Sequence, residues 1–94
     1  MKQPLPLEPG RVAVSLAGRD KGTAYVVLAA EGERILLADG SRRPLDHPKK
    51  KNAKHLHAKP VILEGVQRAL SEGGRLCDQQ VREQLRAAGF AEDT

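Results

Sequence analysis

The stretch from Gly10 to Gly22, which reads GRVAVSLAGRDKG, decides the fold because it joins a strand pattern to a polar loop. Its apolar side chains recur at every second residue: Val12, Val14 and Leu16. A period of two predicts a strand with one buried face. The loop that follows, Ala17 to Gly22, holds three charged residues between two glycines. We expect a second strand to begin directly after Gly22.

Further strand patterns follow at short intervals. Thr23 to Ala30 is rich in β-branched and aromatic residues, and Arg34 to Ala38 is a short apolar run. The dipeptide Asp39-Gly40 favours a tight type I′ hairpin, so Ser41 to Leu45 is predicted to return as a short or edge strand. His55 to Ala58 supplies a last short strand, in which Leu56 faces inward.

Four or five short antiparallel strands within about fifty residues are too few for a sandwich and close most simply into a small barrel. The sequence therefore predicts a mainly β protein: a small barrel over residues 10–60, followed by a helical hairpin over 61–94. Residues 1–9 contain three prolines and are expected to be an extended lead-in.

The period changes beyond Pro60. Val66, Ala69 and Leu70 are spaced as on one helix face, and the glycine pair at 73 and 74 is expected to end that helix. Asp78 is predicted to be the N-cap of a second helix with an apolar face made by Val81, Leu85 and Ala88. Helices this short are unstable alone, so they must dock on the barrel or on a partner.

The positive charge of the chain is gathered in one tract. The 94 residues have a formal net charge of +4, yet residues 1–41 balance to zero and residues 61–94 to −2. Residues 42–59, the basic tract, contain seven Lys and Arg, one Asp and all three histidines. Such a concentration favours a phosphate-binding surface over a solvated loop that only confers solubility.

Catalytic and metal-binding patterns are weak by comparison. His55-x-His57 could bind a metal from one strand face, but no pair of ligands has the spacing usual in structural zinc sites. The single cysteine, Cys77, is not placed by spacing against a histidine, and it is expected to fill a packing gap. We expect no enzyme activity, no metal and no cofactor. The absence of an apolar spanning stretch leads us to expect no membrane contact and a cytoplasmic location.

Gly10 to Gly22 resembles a KOW motif, a strand-loop-strand unit shared by large-subunit ribosomal proteins and NusG-type transcription factors. The later stretches Leu37-Ala38-Asp39-Gly40, Arg42-Arg43, Pro48 to Asn52 and Lys54-His55-Leu56 resemble small bacterial KOW-domain RNA-binding proteins, similar to one branch of large-subunit ribosomal proteins. The resemblance covers residues 10–58. It departs from many KOW motifs at Tyr25, where they carry a glycine, and we expect this tyrosine to be a core residue.

The resemblance implies an SH3-like barrel that binds RNA, with Gly18 and Gly22 shaping the loop. Together with the charge pattern, it marks these residues as RNA contacts: Arg11, Arg19, Lys21, Arg42, Arg43, Lys49, Lys50, Lys51, Asn52, Lys54 and His55. With little aromatic surface for base stacking, the expected ligand is structured RNA, ribosomal or ribosome-linked, and the ribosome is a candidate partner. The alternative is a protein-interaction module of the SH3-like class acting in translation or transcription, with a protein partner docked on the helical tail.

Overall fold

Five strands and two helices make up the computed structural model, which describes residues 5–90. The ends of the expected lead-in and tail, residues 1–4 and 91–94, lie outside the described residues. The strands are β1 (Arg11–Ser15), β2 (Ala24–Glu31), β3 (Arg34–Ala38), β4 (Lys49–Asn52) and β5 (Leu56–Ile62). A short 3-10 turn (Ala53–His55) separates β4 from β5, and the helices α1 (Glu64–Ser71) and α2 (Asp78–Ala87) follow. The expectation of a mainly β protein followed by two helices is confirmed.

The strands form one antiparallel sheet in the order β4-β3-β2-β1-β5. The sheet is not closed, because β4 and β5 are its two edges and do not pair with each other within residues 5–90. Its inner face buries six side chains from four of the strands: Ala13, Tyr25, Val27, Ile35, Leu37 and Leu56. Since β3 and β5, which are separated by two strands in this order, both contribute to the inner cluster, the sheet curls around it.

The two helices cover part of the outer face of the sheet. Val12 and Val26, which pair across β1 and β2, share one cluster with Leu63, Val66, Val81 and Leu85. The helices therefore dock on the sheet, and not only on a partner, and they bury the part of its outer face that β1 and β2 form. Fully burying aliphatic side chains of this size stabilises a fold by about 1.5 to 3 kcal/mol each.

Strand β1 differs from its predicted pattern because it is buried on both faces. Val12 faces the helices, while its neighbour Ala13 faces the inner cluster, and both are fully buried. Leu16, predicted to lie on the buried face, follows the end of the strand and is 49% exposed. A period of two marks a half-buried strand, but β1 lies between β2 and β5 and is covered from both sides.

The return strand predicted over Ser41 to Leu45 is wrong. Asp39 accepts backbone hydrogen bonds from Ser41 and Arg43 at 2.8 and 2.9 Å, and the chain continues as a loop to Pro48. An Asp side chain that caps its own turn competes with hairpin pairing. The strand that pairs with β3 is instead β4, which consists of the residues Lys49 to Asn52 of the basic tract.

The predicted helices are present, with one error at a cap. The N-cap of α2 is the exposed Cys77, whose N–H donates to the Gln80 side chain at 3.0 Å. Asp78 is the first residue of α2 and not its cap, because its carboxylate accepts a hydrogen bond from the Leu45 N–H at 2.7 Å. Cys77 does not fill the packing gap that was expected of it.

Candidate nucleic-acid interface

The loop between β1 and β2 is a tight turn shaped by its two glycines. Gly18 and Gly22 have φ values of +87° and +91°, a region that residues with a Cβ rarely adopt. The Gly22 N–H donates to the Ser15 carbonyl at 2.8 Å, and the Thr23 N–H donates to the Asp20 carbonyl at 2.8 Å. These bonds fold the loop back on the end of β1, so that Arg19 and Lys21 are exposed while Asp20 turns inward.

Asp20 is the centre of a polar network at one end of the inner cluster. Its Oδ2 accepts from the Tyr25 hydroxyl at 2.7 Å and lies 3.1 Å from Lys49 Nζ. Its Oδ1 lies 3.0 Å from Lys51 Nζ and 2.9 Å from Ser15 Oγ. The Asp20 side chain is only 13% exposed, and that of Lys51 12%. A carboxylate with this many charged and polar partners is a strong, geometrically fixed contact despite its burial.

The network perturbs the pKa of both of its acidic groups. Burial alone raises the pKa of Asp20, but the hydrogen bonds from Tyr25, Lys51, Lys49 and Ser15 outweigh it and hold that pKa far below its usual range. Burial, reinforced by the hydrogen bond to Asp20 and by its charge, raises the pKa of Tyr25 above its usual range. Asp20 is therefore ionised and Tyr25 protonated at neutral pH.

Strand β4 divides the three consecutive lysines between two faces. Lys49 and Lys51 pair with Leu37 and Ile35, so they lie on the inner face, where they reach Asp20. Lys50 points to the other face, where its ammonium lies 3.5 Å from the exposed Glu31 carboxylate. Two of the three lysines in the most basic part of the sequence are thus engaged inside the protein.

The loop over residues 39–48 comes close to the same network. Asp39 and Arg43 lie near enough to Tyr25 for their charges to affect its pKa, the former raising it and the latter lowering it. The side chains of Arg42 and Arg43 are exposed. The network therefore joins the loop 18–22 to the strand β4, and the loop 39–48 lies near it.

We call segments 18–22 and 39–55 the basic surface. They contain eight Lys and Arg side chains and three Asp, a net charge of +5 in a chain whose total is +4. Lys54 is exposed on the 3-10 turn, and His55 is half-buried beside it. Asn52 holds that turn, because its side chain accepts from the Lys54 N–H at 3.0 Å. Arg19, Lys21, Arg42, Arg43 and Lys54 form no ion pair within residues 5–90.

Arg11 lies apart from this surface. It is 8% exposed, and its guanidinium donates to the Pro6 and Lys59 carbonyls and lies 3.6 Å from a Glu8 carboxylate oxygen. These contacts join the lead-in to β5, so Arg11 has a structural role within the fold.

Sequence reasoning missed the central role of Asp20, although a signal for it existed. In the sequence Asp20 counts only as one of three loop charges, whereas in the structure it binds Ser15, Tyr25 and two lysines. A lone carboxylate between glycines, followed five residues later by a strand tyrosine, is the pattern that could have indicated it. The expectation that Tyr25 is a core residue is confirmed, because it is 3% exposed.

Comparison with protein-family models finds no family that matches this chain. Within residues 5–90, no group of three or more His, Cys, Asp or Glu side chains is placed to hold a metal ion. Neither helix in the described part of the chain is long and apolar enough to cross a membrane.

Proposed function

We propose that this protein is a non-catalytic RNA-binding module of the KOW class, which binds structured RNA, ribosomal or ribosome-linked, in the cytoplasm. The observation that carries the proposal is the arrangement around Asp20, which ties the loop 18–22 to β4. Because Asp20 turns inward, its neighbours Arg19 and Lys21 are presented outward on a constrained loop. An anchored pair of cations loses less conformational freedom on binding phosphate than a flexible pair does.

The fold supports the same class. We propose that the curled sheet is an SH3-like barrel with its seam between β4 and β5. The last strand, β5, returns to pair with the first, and residues of β1, β2, β3 and β5 pack in the inner cluster. This arrangement leaves the loops 18–22 and 39–48 free to carry function while the strands provide rigidity.

The proposed contact residues are the exposed cations of the basic surface, which include Lys50 on the outer face of β4. Lys and Arg attract phosphate irrespective of sequence, and Arg can bind it through two hydrogen bonds. Tyr25 is buried and Phe90 packs against the core cluster under the helices, so these two aromatic residues offer little surface for stacking on unpaired bases. Helical RNA, which offers phosphates and shape, is therefore the ligand that fits best.

A salt series tests the proposal directly. Purified protein is titrated onto a structured RNA, a single-stranded RNA and a duplex DNA at several salt concentrations, with fluorescence anisotropy as the readout. If about five cations contact phosphates, the logarithm of the affinity for structured RNA falls with the logarithm of salt with a slope of about −3 to −4. Binding too weak to measure for all three ligands at physiological salt contradicts the proposal.

Paired variants locate the surface. R19A/K21A removes two exposed cations of the loop and is expected to reduce the salt slope by about 2. R68A/R75A removes the same charge from exposed positions on α1 and on the link to α2, and serves as the matched control. Equal losses in the two variants mean that net charge alone drives binding and contradict a defined surface.

The alternative, a protein-interaction module in translation or transcription, gives a different result in a pull-down. Partners that bind through RNA are lost when the lysate is treated with nuclease, whereas a direct protein partner persists.

A further inference from the structure

The N-terminal half of α2 is bonded to the loop that carries Arg42 and Arg43. The Asp78 carboxylate accepts from the Leu45 N–H at 2.7 Å, and the Arg82 guanidinium donates to the Gly40 carbonyl. The two residues that each bond joins are 33 and 42 positions apart in sequence, respectively. Both bonds are therefore tertiary contacts and not bonds within the helix. They lie at either end of the segment Gly40 to Leu45, which contains both arginines.

Packing around this segment is close as well. A Cβ placed on Gly40 would collide with the Asp78 carbonyl and touch Arg82, so the loop and the helix lie backbone against backbone. Leu45 packs against the cluster that contains Val81 and Leu85 of α2. The carboxylate of Asp39, the residue before this segment, accepts hydrogen bonds from the backbone N–H groups of Ser41 and Arg43 within it.

We propose that α2 is a positioning element for RNA binding: Asp78 and Arg82 hold the segment 40–45 in the conformation that presents Arg42 and Arg43 to phosphate. This inference rests on the proposed function and gives the helical tail a part in it. Asp78 and Arg82 are positioning residues because they act through the arginine loop. Held at both ends, the loop keeps its two guanidinium groups near their binding positions before RNA arrives.

Because Asp78 is negatively charged, its removal distinguishes a positioning role from an effect of net charge alone. Removing a carboxylate near a basic surface strengthens the attraction for RNA if charge is all that matters. Removing an anchor of the arginine loop weakens binding instead. Asp78→Ala therefore has opposite expected effects under the two explanations.

The experiment measures RNA affinity and salt slope for D78A against wild type, with E83A as the matched control. Glu83 lies on the same helix, is exposed, and contacts Gln79, so E83A removes an equal charge without touching the loop. We expect D78A to lose affinity about threefold to tenfold and its salt slope to become shallower by about 1 to 2, while E83A binds as well as wild type or better. D78N retains a side-chain oxygen that can accept from Leu45, and it is expected to restore most of the affinity.

Dependence on the arginines is tested by combining variants. In an R42A/R43A background, D78A is expected to have no further effect on RNA affinity, because the groups it positions are absent. If D78A does not fold, R82L replaces it, with R75L as the control of equal charge. R82L must then lose more affinity than R75L, and that excess must vanish when Arg42 and Arg43 are absent.

The outcomes separate this inference from the proposed function. If R42A/R43A loses affinity but D78A binds as tightly as E83A, the inference is overturned and the RNA-binding proposal stands. An effect of D78A that persists without the two arginines also overturns it. If wild-type protein does not bind RNA at all, both proposals are overturned together.

Discussion

Replacing Asp20 with Asn tests the network that organises the proposed site. The substitution keeps the shape of the side chain and an oxygen that can accept from Tyr25, but removes the charge that faces Lys49 and Lys51. Breaking a buried ion pair from one side costs about 3 to 5 kcal/mol. Lys49 is partly exposed, and Lys51 keeps its bond to the Ala17 carbonyl at 3.0 Å, so the cost here lies at or below the lower end of that range. We expect a loss of about 2 to 3 kcal/mol in the free energy of unfolding.

Such a loss is large for a domain of this size, whose total stability is about 5 to 15 kcal/mol. It corresponds to a fall in Tm of about 8 to 24 °C, since about 1 kcal/mol shifts Tm by 4 to 8 °C in domains under 100 residues. Urea unfolding followed by circular dichroism measures the loss in the free energy of unfolding. D46N is the matched control, because Asp46 is exposed and forms no ion pair within residues 5–90.

The pH dependence sharpens the test. Because the pKa of Asp20 is lowered in the folded protein, its stabilising contribution is complete above the unfolded pKa of about 4 and is lost as the pH falls further through the folded pKa. The stability difference between wild type and D20N is therefore constant from about pH 5 to pH 8 and shrinks below about pH 4. If D20N unfolds at the same urea concentration as D46N at neutral pH, the reasoning on this network is refuted.

Three further predictions concern the same core and surface. Tyr25→Phe removes one hydrogen bond to the Asp20 carboxylate and should lower the free energy of unfolding by about 1.5 to 3 kcal/mol. Because Asp20 loses a partner that lowers its pKa, acid unfolding should move to higher pH, and an unchanged pH dependence of urea unfolding at low pH would contradict this. K49A/K51A should lower Tm by several degrees, because these two lysines bind Asp20. K50A/K54A should change the free energy of unfolding by less than about 0.5 kcal/mol but lower RNA affinity, and equal melting curves for the two variants would contradict this division of the lysines. Leu85→Ala should destabilise the whole domain by about 2 to 4 kcal/mol in a single transition, because Leu85 shares a core with the strands; a separate early transition of the helices, with the sheet unaffected, would show that the tail is independent.

Several elements could be predicted from sequence because their signals are local. Strand β3 was placed at its observed bounds, since an apolar run ends at an Asp-Gly dipeptide. The helices were placed by their 3.6-residue period and by the glycines that follow them. The buried position of Leu56 followed from its place between two histidines. Each of these patterns depends on residues a few positions apart.

Two of the differences from the sequence prediction have a tertiary cause. Lys49 to Asn52 has poor strand propensity, and it forms β4 because β3 offers an edge and Asp20 offers a partner for two of its lysines. The Asp39-Gly40 hairpin gave way to a longer loop that α2 holds in place through Asp78 and Arg82. Lysines are also favoured on edge strands, where they hinder pairing with other chains.

The sequence by itself determined that this is a small mainly β protein with two helices and one concentrated basic tract, because composition, period and turn residues are read locally. Only the tertiary structure decided which of those charges are available. Alternation along β4 turns Lys49 and Lys51 inward to Asp20, and β5 and the lead-in bury Arg11, while Arg19, Lys21, Arg42, Arg43 and Lys54 remain exposed. A count of charges cannot distinguish these groups, because availability depends on which face of an element a residue lies on and on what that face meets.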